Sequence, residues 1–156
     1  MIPVYELRSD FMRNKEPFDY IIDMIDSDAK AEDTRTAAIE AITYFDLDTL
    51  IQEKVIVMYQ NNASKIIGYT VAGVGSSKNC VVPGREILIL GLLINATNLI
   101  VIHNHPSGDP SPSEEDIIMS VQMEKACNSV GIILNDCIIT GASSAYSLKD
   151  MDEVLL

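Results

Sequence analysis

The run ILILGLLINATNLIVIH, residues 87–103, most limits what this chain can fold into. It is too apolar to be left in water, so it must sit in a core or cross a membrane. Gly91, Asn95, Thr97 and Asn98 interrupt it. A membrane helix needs about 20 consecutive, predominantly apolar residues, and these breaks divide the run into two shorter pieces. The first, opened by Pro83, reads as a helix through Ile87–Asn95, serving a core or an interface. The second, LIVIH (99–103), reads as a strand buried in a sheet. If the strand continues, alternation puts Leu99, Val101, His103 and His105 on one face.

The neighbouring segments fit the same plan. KVIVMYQ (54–60) is rich in β-branched and aromatic residues and reads as a strand; NNAS turns, and KIIGYTVAGVG (65–75) returns as a second. PSGDPSPS (106–113) is a loop on its Pro and Gly content. A helix starts near Glu114, with Met119, Met123, Ala126, Cys127 and Val130 at helical spacing and Gly131 placed to end it. Asp116 shares the inward face of Met119 and Met123. IILNDCIIT and SAYSL supply two more strands. Toward the N-terminus, residues 1–15 read as irregular with a short strand around Val4–Leu7. FDYIIDMIDSDAK (18–30) reads as a helix, and TRTAAIEAITYF as a second, capped by Asp33 or Thr34. The fold class is α/β: helices packed on a mixed sheet.

At 156 residues and 47% hydrophobic content the chain suits one folded domain rather than disorder. A small, acidic N-terminal helical extension (1–45) precedes the main domain (46–156). The net charge of −12, with no Lys/Arg run, argues against direct nucleic-acid binding. Cys80, Cys127 and Cys137 are odd in number and contain no C-x-x-C, which fits a reducing cytoplasm better than a disulfide framework. MIPVYELRSDFMRNKEPFDY has no signal-peptide core, and no membrane partner is expected.

Both histidines of the chain lie in VIHNHPSGDPSPSEED (101–116). Two histidines at i and i+2 on a strand end can converge on one cation, and a carboxylate from the next helix can complete three ligands. Catalytic zinc sites commonly use three protein ligands and leave a fourth position for water. Nitrogen and oxygen donors suit zinc, with iron or manganese as alternatives. Two solvated imidazoles on a polar loop are the plainer reading; the apolar strand that aims them at one place favours the metal. Asp116 is also N3 of a capping box begun by Ser113. That dual role is compatible with ligation, because a helix N-terminus stabilises the carboxylate anion. Ser113 has the same ambiguity, as cap or as donor to a developing oxyanion. A zinc-bound water needs a general base, usually a carboxylate that does not itself bind the metal. Glu53 and Glu86 are candidates, and spacing does not choose between them.

HNHPSGDPSPSEED closely resembles the signature of the RadC-like group within the JAB/MPN (JAMM) metalloprotease superfamily. Its pattern is an upstream Glu, His-x-His, ten residues, then Asp, and ten residues separate His105 from Asp116. QEKVIVMYQNNASKIIG, VVPGREI, GIILNDCIITG and YSL agree as well, so the likeness covers roughly residues 50–150. The resemblance implies a JAB/MPN (cytidine-deaminase-like) fold and one zinc ion per chain held by His103, His105 and Asp116. It makes Glu53 the general base acting on a metal-bound water, and gives Ser113 the oxyanion role. Asn104, Pro106, Ser107, Gly108 and Pro110 would shape the loop. The chain departs from the group's pattern twice. Residues 1–45 show no helix-hairpin-helix glycine pattern, which weakens inherited DNA-binding expectations. An Asp-His pair after the helix reads Asp136-Cys137 here.

The expected function is a zinc-dependent amide hydrolase of metalloprotease or isopeptidase type, with a peptide or protein substrate. The alternatives are a RadC-like binding module without turnover and a DNA-repair-associated protein. The tripeptide HNH is not the signature of HNH nucleases, whose letters stand for residues spread over a ββα unit.

Overall fold

The computed structural model describes residues 1–8, 16–75 and 82–156. Cys80, and the expected irregular course of residues 9–15, lie outside them. Eight strands form one sheet: β1 (Ile2–Tyr5), β2 (Ile21–Ile25), β3 (Glu53–Gln60), β4 (Ile66–Gly75), β5 (Asn98–Asn104), β6 (Ile133–Thr140), β7 (Ser144–Ser147) and β8 (Asp152–Leu155). Their order is β2-β1-β4-β3-β5-β6-β7-β8. β1 with β4 and β5 with β6 are parallel; the other neighbours are antiparallel. The helices are α1 (Thr34–Phe45), α2 (Gly84–Leu93) and α3 (Glu114–Ser129). The sheet is mixed and helix-flanked, as the α/β reading and the JAB/MPN resemblance require.

Both faces of the central strands are buried, so these strands are apolar at nearly every position. Ile56, Met58, Ile100, Ile102 and Ile138 pack on one face with Ala37, Ala38, Ala41 and Phe45 of α1. Three alanines on the inward side of α1 let that helix lie close to the sheet. Val55, Val57, Tyr59, Leu99, Val101 and Cys137 pack on the other face with Ile87, Leu88 and Leu90 of α2 and Met123 and Cys127 of α3. α2 therefore serves the core. Burying one such side chain contributes about 1.5–3 kcal/mol. Period-2 alternation also assigns two polar side chains to a face. His103 continues the series Leu99, Val101, and Glu53 continues Val57, Val55, so both belong to the face carrying α2 and α3.

Asp33 caps α1 by accepting from Thr36 N–H at 2.7 Å, the first of the two expected caps. α3 ends as expected, with Gly131 at φ +76° just beyond its Val130 cap, although Val130 itself is exposed. The expected helix over residues 18–30 does not form. Pro17–Tyr20 is a short 3-10 helix, and Ile21–Ile25 is β2, paired antiparallel with β1. The spacing of Ile21, Ile22 and Ile25 fits a helix face, but β-branched residues also favour strands, and β1 offers a partner edge. β1 runs over Ile2–Tyr5, slightly earlier than the Val4–Leu7 expectation. Residues 1–45 thus give the common sheet two strands, and α1 is their one α-helix among the described residues. Among those residues no helix is long and apolar enough to cross a membrane.

Candidate metal centre

Four side chains converge where β3 begins and β5 ends. Glu53 opens β3, His103 lies near the end of β5, His105 follows it, and Asp116 sits in the first turn of α3. Their ligand atoms all lie within 4.8 Å of one another. His103 Nε2 is 3.6 Å from Glu53 Oε1 and 3.1 Å from Asp116 Oδ1, and His105 Nε2 is 3.2 Å from Asp116 Oδ2. Glu53, His103 and Asp116 are buried and His105 is half-buried. Glu86 is elsewhere, beside Arg85 at 3.4 Å. Geometry therefore separates the two carboxylates that spacing left level.

Local structure delivers each residue. Ser113 and Asp116 form the capping box: Ser113 Oγ accepts from Asp116 N–H at 3.2 Å, and Ser113 N–H donates to Asp116 Oδ2 at 2.8 Å. The cap fixes Asp116 and leaves both its oxygens turned toward the imidazoles. Ser113 Oγ only accepts in this box, so its own proton is free for another partner. Gly108, at φ +86°, turns the intervening loop, and its N–H donates to His105 O at 2.9 Å. The loop leans on the β6–β7 turn, where Ala142 N–H donates to Gly108 O at 2.9 Å. A Cβ on Gly141 would stand 2.5 Å from Gly108 O and 2.8 Å from Pro110 Cδ, so only glycine fits there.

The donor set fits a cation. His105 Nδ1 lies 2.9 Å from the carbonyl of Asp109. A carbonyl only accepts, so Nδ1 carries the proton, and the neutral ring turns a lone pair at Nε2 toward the Asp116 carboxylate. Two acceptors facing each other at that range need a proton or a metal ion between them. The buried His103 ring has no acceptable hydrogen-bond partner on either nitrogen; its 3.1 Å approach to Asp116 is too bent to be one. A buried polar atom without a partner costs about 1–3 kcal/mol, and a ligated ion would remove that cost at Nε2.

The titrating groups respond as this geometry dictates. Burial pushes the Glu53 carboxyl above its usual range; the two imidazoles pull it down, and the Asp116 charge adds to the rise. Burial also works against ionising Asp116, but the His103 and His105 rings and the Ser113 backbone outweigh it. They hold its carboxyl far below the ordinary carboxylate range. A protonated His105 ring can donate Nε2–H to Asp116, which raises its affinity for the proton; burial opposes the rise, and the Asp109 carbonyl adds to it. The cleft beside the cluster, about 50 Å³, is lined by Glu53, Val55, Val82, His103, Glu115, Asp116 and Met119. By this measure about 10–15 Å³ is enough for one water, so the cleft has room for an ion and water beside the cluster. A larger cavity of about 600 Å³ involves Thr34, Asn98, Asp136 and Lys149 at the other end of β5 and does not include the cluster.

Two contributors escape a reading by residue type. The Asp109 carbonyl acts through the backbone, which residue type does not advertise. Asn104, expected among the loop-shaping residues, is the last residue of β5. Its buried side chain binds the main chain beside Glu53: Oδ1 accepts from Lys54 N–H at 2.7 Å, and Nδ2 donates to Gln52 O at 3.0 Å.

Comparison with known proteins yields one family. The RadC-like JAB domain matches residues 31–153. A UPF0758 protein of Streptococcus agalactiae is 36% identical over 104 residues, 67% of this chain and 46% of that protein. One from Streptococcus suis is 32% identical over 67% of this chain and 43% of its own length. One from Methanosarcina acetivorans is 38% identical over 64% and 43%. The matched stretch covers less than half of each of these relatives.

Proposed function

This chain belongs to the RadC-like JAB domain family, and from that premise we propose that it is a zinc-dependent amide hydrolase acting on peptides or proteins in the cytoplasm. The observation that carries the proposal is the buried approach of Glu53 to His103, at 3.6 Å, inside a group of four donors able to hold a metal ion. His103, His105 and Asp116 would hold the zinc. When bound, zinc supplies Lewis acidity, polarising a carbonyl oxygen and lowering the pKa of a water toward neutrality.

The chain's own residues do the rest. Glu53 accepts the proton that water loses as its oxygen bonds to the carbonyl carbon. The same carboxyl then gives that proton to the amine nitrogen as the C–N bond breaks. Burial raises its affinity for protons in the metal-free chain. Ser113 Oγ, which only accepts within its cap, donates to the carbonyl oxygen as negative charge develops there. Asp109 holds the His105 tautomer, and the capping box holds Asp116. A DNA-repair role would have to be indirect on a chain of net charge −12.

The test is metal content followed by base removal. Reconstituted protein should hold one zinc per chain. Glu53→Gln should keep the zinc and lose about 10²–10⁴-fold in amide hydrolysis. A wild-type chain that takes up no divalent ion after reconstitution would overturn the proposal. Equal rates in wild type and Glu53→Gln would move the base elsewhere.

A further inference from the structure

We infer that Asn104 is a positioning residue that holds Glu53 against the histidine pair, an inference resting on the reading of Glu53 as the base. β3 and β5 pair as an antiparallel ladder from Gln60↔Asn98 to Val55↔His103. One step further on, the ladder stops and the connection passes to a side chain. Asn104 Oδ1 accepts from Lys54 N–H at 2.7 Å and Nδ2 donates to Gln52 O at 3.0 Å. Those are the peptide groups immediately after and immediately before Glu53. One carboxamide therefore grips the backbone on both sides of the proposed base.

The position and chemistry of the grip both bear on the site. Asn104 stands between His103 and His105, and β5 alternation turns its side chain away from the cluster while the two imidazoles face it. A three-residue strand end thus sets the two ligands with one face and the base with the other. His105 N–H donates to Thr140 O at 2.9 Å, so the end of β5 is fastened to β6 and gives the grip a firm base. The grip also requires one donor and one acceptor on a single planar group. Asparagine has both; aspartate keeps the acceptor and loses the donor, and alanine loses both. Asn104 is 1% exposed, so water is poorly placed to replace the missing bonds.

The experiment compares wild type, Glu53→Gln, Asn104→Ala and the double variant as full chains. Three readings are taken: Lys54 amide hydrogen exchange, the Glu53 carboxyl ¹³C shift in metal-free protein, and the visible spectrum with cobalt(II) at one fixed pH. In Asn104→Ala the Lys54 amide should exchange about 100-fold faster while Val57 and Tyr59 stay protected. The Glu53 carboxyl shift should move toward that of a solvated glutamate. Cobalt should still bind one per chain, with a spectrum displaced toward that of Glu53→Gln. Adding Asn104→Ala to Glu53→Gln should change the spectrum no further, whereas a purely structural loss would add to it. A wild-type spectrum and an unmoved Glu53 carboxyl in Asn104→Ala would overturn the inference and leave the hydrolase reading standing. A wild-type chain that binds no cobalt overturns the hydrolase reading instead, and the Lys54 and Glu53 readings then decide the positioning role alone. Should Asn104→Ala fail to fold, Asn104→Asp, which keeps the Lys54 bond and loses the Gln52 one, is read by the Glu53 carboxyl shift and the cobalt spectrum, with the same outcomes deciding.

Discussion

The two ends of β5 are both polar, the first half-buried and the second buried, and they are built in opposite ways. At the start of the strand, Thr97 Oγ1 donates to Asn98 Oδ1 at 2.7 Å and Asn98 Nδ2 donates to Asn135 Oδ1 at 3.0 Å. Asn135 Nδ2 donates to Gln60 Oε1 at 3.0 Å, and Gln60 Nε2 reaches Ala31 O at 2.8 Å and Ser64 O at 3.1 Å. Nearby, Asp136 accepts from Ser147 Oγ at 2.7 Å, Thr34 Oγ1 at 3.1 Å and Lys149 N–H at 3.2 Å. Each of these contacts has a donor and an acceptor. At the other end, the His103 ring has no partner and two acceptors meet between His105 and Asp116. Burial makes satisfied polar groups a tie and unsatisfied ones a socket. The two aspartates record the difference. Burial dominates at Asp136 and raises its carboxyl, since its partners are neutral; the imidazoles dominate at Asp116 and lower it.

The strongest way to break this contrast is to remove the socket. Free zinc at about 1,000 times its Kd should stabilise the wild type by about 4 kcal/mol. His103→Ala should lose that increment in thermal unfolding with and without chelator. An increment that survives the substitution would mean the ion binds elsewhere. Next in size is the tie. Gln60→Ala strands the Asn135 amide and two carbonyls, and should cost about 2–4 kcal/mol in urea unfolding. Its zinc stoichiometry should stay that of the wild type, and a loss of zinc would show that the two ends are coupled.

The smallest effect concerns pH. The folded Asp136 carboxyl titrates above the ordinary aspartate value, so its stabilising contribution is complete below about pH 3.9. That contribution is lost as pH rises through the folded value. Asp136→Asn cannot lose a proton. Its stability relative to wild type should therefore climb with pH from about 4 upward and then level off, in metal-free protein followed by urea unfolding. A difference that is flat across that range would show that the three hydrogen bonds cancel the cost of burial.

Much of this is legible from residue order, and the exceptions share a cause. α1, α3 and the central strands carry their own periodicity, capping residues and turn residues, so local sequence announces them. Most of the candidate donor set is equally local, because His103, His105 and Asp116 fall within one strand–loop–helix passage. β2 misleads because Ile21, Ile22 and Ile25 satisfy two periodicities, and the choice is made by β1, which is distant in the chain. β8 escapes notice because Asp152–Leu155 is short, acidic and largely exposed, and exists by pairing with β7. Choosing Glu53 over Glu86 requires the β3–β5 register. The Asn104 grip requires it too, since an asparagine between two histidines looks like a spacer until its partners at 52 and 54 are in place.

The contact between Gly108 and the Gly141–Ala142 turn also has a consequence for timing. A ribosome makes a chain from its N-terminus, so residues 103–116 emerge before the turn on which their loop rests. While they wait, the loop between His105 and Asp116 has its own turn and cap but lacks the support of the β6–β7 turn. An ion held by this cluster would thus be loaded at the end of synthesis, not as its seed. A nascent chain stalled before residue 140 should hold zinc far more loosely than one released.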